Sequence, residues 1–302
     1  MVIVGSSVSI SQLVVDYPHL TGQAARYALA ALVLTAIARA APGFLTGSAG
    51  PARATGWPNR REWVLLTLLA ATGLAAFNAC ILIALPHADP AVVGTFIGAA
   101  PLGLALLGPL LRGGRPTIRL IVAAGIVVGG TGLVQGNGRA DTIGVLAALG
   151  ALAGEIAFSL LAAAVLPRLG PVRVAAYSCA LAVPLLLLAA LPAGEIARWR
   201  LPSAVEATTL GYLAALMTVV AFLAWFTGLR QLGVERAGVL VGLMPVATLV
   251  TAAIQADRLP DPGQSAGVLV VAAGLAVGLT ARIANPALPR ASAHDLVESG
   301  RL

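Results

Sequence analysis

The chain contains no lysine. Its nineteen basic residues are therefore all arginines, set against twelve acidic ones, and charged residues make up only 10% of 302 positions. Soluble domains carry about 25%. With 59% hydrophobic residues, this chain lacks the polar surface to be soluble and would expose apolar patches well beyond the few hundred Å² that monomers tolerate. The missing lysine also excludes a Walker A loop, and with it a nucleotide-driven pump encoded in this chain. Cysteine is scarce: Cys80 and Cys179 each lie within an apolar run, and there is no CxxC pair. Neither a disulfide framework nor a zinc site is supported, and both read as small packing residues. The three histidines, His19, His87 and His294, fall in predicted loops or the tail, and no HExxH occurs. No metal or cofactor is expected. The arginines form no basic stripe interleaved with aromatics, so nucleic acid is not an expected partner.

What the sequence does contain is a series of long apolar runs punctuated by Pro, Gly and Arg. The runs predict ten spans, at 2–16, 22–39, 63–85, 90–111, 117–135, 142–166, 172–192, 207–229, 236–256 and 264–283. Most have the ~20 residues needed to cross ~30 Å of hydrocarbon as a helix. They are continuous rather than alternating, so barrel strands are not expected. The predicted class is all-α integral membrane. The first run is short for a span, and it lacks the basic n-region of a signal peptide. The connection 40–61 is rich in Gly and Pro, and the tail 284–302 is polar.

Arginine placement predicts orientation. With the N-terminus inside, fourteen arginines fall on the inner side. Arg139, Arg198, Arg200 and Arg258 fall outside, and Arg26 lies within the second span near its outer end. Both termini are then cytoplasmic. Arg26 is expected to reach the outer interface, with a substrate carboxylate as the alternative. Trp57, Trp63, Trp199 and Tyr17 lie near span boundaries and fit an aromatic belt.

The two halves of the chain match. Gly94-x-x-x-Gly98-x-x-Pro101 in the fourth span corresponds to Gly238-x-x-x-Gly242-x-x-Pro245 in the ninth, at an offset of 144. Gly125 and Gly132-Leu133 correspond to Gly267 and Gly274-Leu275 at 142, and Ala76-Phe77-x-Ala79 to Ala221-Phe222-x-Ala224. Three collinear matches predict a duplication, with repeats at 1–136 and 141–283. Five spans per repeat is an odd number, so the second repeat must insert upside down, as in transporters that alternate access around a midplane site. The Gly-x-x-x-Gly pairs permit close helix contact, and the prolines can bend their helices.

The stretch Ala221-Phe-Leu-Ala-Trp-Phe-Thr-Gly-Leu-Arg-Gln-Leu-Gly233, with Glu235-Arg-Ala-Gly238 and the Met244-Pro245 step, resembles the second repeat of the drug/metabolite transporter superfamily, EamA type. The Arg26-Tyr-Ala-Leu-Ala-Ala-Leu run resembles that family's arginine-led second helix. The resemblance covers about 2–283. It implies ten helices in two five-helix repeats, and export or exchange of small metabolites across a bacterial inner membrane. It brings no shared catalytic signature.

Within the spans, Glu155 is the most informative residue. It lies roughly 16–20 Å from either end of the sixth span, where an ionisable group costs about 3 kcal/mol or more and should face a cavity or a partner. Ser159 is one turn on, on the same face. A substrate or proton site and a structural carboxyl are both open. Asn78 is a second polar candidate, for substrate or for bridging helices. Ser7, Ser11 and Gln12 fall near one face of the first span. Trp225 and Tyr177 are candidate cavity walls. A passive channel would need a continuous polar stripe. A membrane-embedded enzyme for lipid or isoprenoid substrates would need clustered carboxylates or histidines at one face. The expected partners are a small-molecule substrate and the bilayer, with assembly as a homodimer left open.

Overall fold

The computed structural model describes residues 17–40, 57–135, 139–243, 246–247, 250 and 261–279. The expected first span with Gln12, most of the 40–61 connection, Pro245 and the tail lie outside them. Among the described residues the fold is all helical, with only an isolated bridge pairing Ala88 and Ala140. The helices are α1 (His19–Ala40), α2 (Arg60–Ala84), α3 (Pro90–Gly98), α4 (Ala100–Leu111), α5 (Ile118–Gln135), α6 (Thr142–Ala190), α7 (Ala204–Leu232), α8 (Val234–Val239) and α9 (Pro262–Leu279).

Among the described residues, the second to eighth and the tenth of the expected spans appear as helices with three modifications, each having a local cause. The fourth span is two helices. Pro101 sits in the first turn of α4 and the break falls at Ala99, so the bend expected from Gly94, Gly98 and Pro101 lies two residues upstream of the proline. The sixth and seventh spans merge into α6, whose helical course is interrupted only at Gly170 (φ 76°, ψ 163°). That conformation is open to glycine and costly for other residues. The third and eighth spans each contain a π-helical stretch, Ala70–Ala76 in α2 and Leu213–Val220 in α7.

Five helical stretches, within α1, α2, α3–α4, α6 and α7, are long and apolar enough to cross a bilayer. Their outward faces are apolar as well: Leu32, Leu111, Ile118, Leu146 and Leu269 are each more than 60% exposed. Such a surface suits lipid and not water. The core between helices is aliphatic and aromatic, with Leu34, Leu66, Leu69, Leu166, Leu186 and Phe226 fully buried.

Close helix contact is built from glycine. A Cβ on Gly98 would lie 2.3 Å from Thr131 Cγ2, and one on Gly242 would lie 2.3 Å from Val127 Cγ1, both on α5. One on Gly238 would lie 3.0 Å from Leu104. These three glycines thus sit where a neighbouring helix leaves no room for a side chain without a shift. The matched pair Gly125 and Gly132 face open space. Gly130 instead meets Gly267 backbone to backbone, where α5 crosses α9.

Candidate functional site

Helix starts on both faces of the bundle are fixed by carboxylates. At α2, Asn59 accepts from the Glu62 amide at 2.9 Å and Glu62 accepts from the Asn59 amide at 2.8 Å. At α7, Ser203 and Glu206 form the same reciprocal box. Each satisfies amides that a helix start leaves open. Each glutamate also holds an arginine: Arg168 donates twice to Glu62, and Arg200 donates to Glu206 at 2.5 and 2.7 Å. Arg112 pairs with Glu235 on the Glu62 face. On the opposite face Glu195 accepts from the Leu20 and Thr21 amides at the start of α1, at 3.1 and 3.0 Å. There too His87 Nδ1 lies 2.7 Å from Asp141. The Gly144 amide and then His87 hold the Asp141 carboxyl below its usual range. These clasps tie α2 to α6 and α1 to the end of α6.

Between the clasps lie the membrane-depth polar groups, in two clusters. The first joins α1 and α2. The hydroxyl oxygen of Tyr27 accepts from Arg26 Nη2 at 2.9 Å and from Asn78 Nδ2 at 3.4 Å, while Asn78 also donates to the Leu74 carbonyl at 2.7 Å. Asn78 is thus a bridge between helices. Arg26 does not reach the interface as expected. It is only 8% exposed, its guanidinium lies over the Tyr27 ring, and its other contact is Met217 Sδ at 3.6 Å.

The second cluster joins α6 and α7. Ser159 is fully buried and accepts from Trp225 Nε1 at 3.3 Å. Glu155 is one turn away, near the middle of the first arm of α6, half-buried and without a hydrogen bond or ion pair among the described residues. Trp225 thus stands beside Ser159, one turn from Glu155 along α6. Aromatic rings separate the two clusters: Phe222 lies 6.3 Å from Tyr27 and 5.2 Å from Phe158. Tyr177 is elsewhere, its ring tilted against Trp63 at 5.3 Å toward the Glu62 end.

Of the expected belt, Trp57 and Trp199 are exposed at helix ends, whereas Tyr17 is buried and donates to the Arg200 carbonyl. His19 is the first residue of α1, not a loop residue. It helps line an open pocket of about 280 Å³ with Tyr17, Glu195, Arg198 and Arg200. The sequence reading missed His19 and Gln23 as companions of Arg26, although polar residues at i, i+4 and i+7 of an apolar run mark one helix face. One spacing, Gly263-Gln264-Ser265-Ala266-Gly267, fits a hydrolase nucleophile elbow. It lies wholly within the first turns of α9 rather than at a strand-to-helix turn. No group of three or more potential metal ligands occurs among the described residues.

Apolar helices with lipid-facing surfaces and buried polar groups at mid-depth define a multi-pass membrane protein. Residues 142–280 match the EamA-like transporter family. The chain is 29% identical over 209 residues to the "Uncharacterized transporter YdeK" of Bacillus subtilis (strain 168), covering 65% of this chain and 69% of that one. It is 22% identical over 306 residues to YetK of the same organism, also described as an uncharacterized transporter, covering 98% and 89%. It is 25% identical over 207 residues to the "Probable terminal-alkyne amino-acid exporter" of Streptantibioticus cattleyicolor, covering 68% and 69%. A solved crystal structure shares the fold with a TM-score of 0.71 at 19% identity, over 92% of this chain and 94% of that one. The second half of the chain thus carries the pattern of the EamA-like transporter family, and the chain is similar over most of its length to membrane transporters of small molecules.

Proposed function

We propose that the chain is a secondary transporter that exports or exchanges small metabolites across the bacterial inner membrane by alternating access. In this reading it has ten spans in two five-helix repeats of opposite orientation, 1–136 and 141–283, with both termini in the cytoplasm. The observation that carries it is the shared design of α2 and α7. Their capping boxes stand 144 residues apart, and their π stretches begin 143 apart. These fall within the 142–144 range of the glycine and proline matches, and π stretches concentrate at functional sites. An odd number of spans per repeat inverts the second copy, which suits access from each side in turn. The arginine asymmetry supports the inward termini.

Glu155, Ser159 and Trp225 form the substrate or proton pathway, with Asn78 and the Tyr27 side of the bundle facing them across the aromatic rings. Glu155 is the coupling group: a carboxyl that takes and gives up a proton as the site opens to each side. Export as the direction is supported by the name of the Streptantibioticus cattleyicolor relative. The deciding experiment compares metabolites in the medium of cells that express the chain with those of cells carrying an empty vector. Accumulation of specific metabolites outside, abolished by a protonophore, is expected. Unchanged medium together with unchanged uptake would remove the reading.

A further inference from the structure

Arg26 is a buried cation without an anion. Among the described residues it has no carboxylate within ion-pair distance, and its Nε is buried with no hydrogen-bond partner. At membrane depth such a charge is costly, and natural proteins keep it where something pairs with it. Arg26 does not stand alone. His19, Gln23 and Arg26 follow one another at spacings of four and three, and so share one face of α1. His19 Nε2 and Gln23 Oε1 are also buried without partners. The row covers about 10 Å along the helix. It begins at the 280 Å³ pocket beside Glu195 and ends at the guanidinium.

The groups around Arg26 present donors. Tyr27 oxygen already accepts from Arg26 and from Asn78. Its lone pairs are then occupied, and its own hydroxyl proton, for which the described residues supply no acceptor, is free to donate. Arg26 Nε–H is free in the same way. An oxyanion that accepts from both would neutralise the charge through charge-assisted bonds. One guanidinium balances one negative charge. A dianion would leave a charge uncompensated at low dielectric, where that is most costly.

We propose that Arg26, with the Tyr27 hydroxyl and with Asn78 as a positioning residue, binds the carboxylate of a monoanionic or zwitterionic substrate that enters along the His19–Gln23 face. The proposal deepens the transporter reading and rests on it for the word substrate, while the binding site itself is tested without transport.

The purified full-length protein is melted in detergent at constant ionic strength with sodium benzoate, acetate, inorganic phosphate or chloride, and with neutral benzamide. Benzoate and acetate should raise the melting temperature of wild type, and benzamide and chloride should not. Arg26→Gln should abolish the shift. Arg26→Lys, which keeps charge but not the guanidinium fork, should need at least tenfold more benzoate for half the shift. Tyr27→Phe should need severalfold more. No carboxylate-specific shift in wild type overturns the proposal even if the variants fail to fold. So does a shift that survives in Arg26→Gln, or a larger shift with phosphate than with benzoate. Transport is read separately, as Arg26-dependent efflux of whatever the medium screen identifies. Benzoate binding through Arg26 with an empty screen would leave the anion site standing and the transporter reading fallen.

Discussion

Helices α2 and α7 use the same construction and carry different chemistry. Each starts with a reciprocal capping box whose glutamate holds an arginine, and each passes through a π-helical stretch before returning to α-helix. Beyond the π stretch they part. α2 presents Asn78 to Tyr27 on α1, whereas α7 presents Phe222 and Phe226 to one another and to Phe158, and Trp225 to Ser159, on α6. The repeated part is what any helix needs in order to start and to bend. The unrepeated part is what a ligand would meet. Under the proposed duplication, one construction carries two dissimilar walls, a polar one and an aromatic one.

The comparison breaks hardest at the π stretches. A π stretch accommodates an extra residue, so deleting Ala71 should return α2 to plain α-helix, closing the widened turn just before Asn78 while the helix beyond it stays in phase. Deleting Ala215 should do the same in α7. Both deletions should abolish transport in proteoliposomes while the purified protein still melts cooperatively. If either deletion transports at the wild-type rate, the stretch is incidental.

A second prediction makes the halves more alike. Gln12, outside the described residues, stands 143 residues before Glu155 and would be its counterpart under the proposed duplication. Glu155→Gln would give both repeats the same uncharged amide there. The variant should insert normally and lose transport driven by a pH gradient. Wild-type rates with an unchanged pH profile would leave Glu155 a structural carboxyl.

Smaller effects follow from packing and caps. Gly98→Leu and Gly242→Leu each place atoms where α5 already stands. Each should cost about 1–3 kcal/mol and slow transport, read from chemical denaturation and vesicle assays. Asn59→Ala and Ser203→Ala should each cost about 1 kcal/mol, the usual loss for an N-cap. Near-equal losses would support equivalent helix starts, and a large inequality would count against it. The smallest effect is at Asp141. Its carboxyl is held below the usual range by the Gly144 amide and His87. Its contribution is therefore complete above the ordinary aspartate value near ~4 and fades as pH falls through the lower folded value. Asp141→Asn should lower the melting temperature slightly at pH 7, and the difference from wild type should vanish in acid.

Much of this was legible in the residues. Long apolar runs gave span positions because lipid demands length and leaves few alternatives. The capping boxes carry a sequence signature that the span pattern overshadows, Asn59-x-x-Glu62 and Ser203-x-x-Glu206 just before apolar runs. The π stretches were not legible, since an inserted residue in an Ala- and Leu-rich helix carries no distinctive side chain. The break at Ala99 was visible only as a nearby proline. The site was half legible. Glu155, Ser159 and Asn78 stand out as polar residues in apolar runs, but Tyr27 looks like an ordinary aromatic until the fold brings Arg26 and Asn78 onto its oxygen. Tyr177 looked equivalent to Trp225, and only the crossing of helices places one on Trp63 and the other on Ser159.

Gly170 is the whole connection between the two arms of α6, and a Cβ there would touch nothing within 4 Å. The demand at this point is conformational, not steric, so the junction has no slack to give. Elsewhere an epitope tag or a protease site can be spliced into a turn. Here even a short insertion must choose between extending a helix and displacing an arm, and the Leu169–Pro171 step should resist both splicing and nicking.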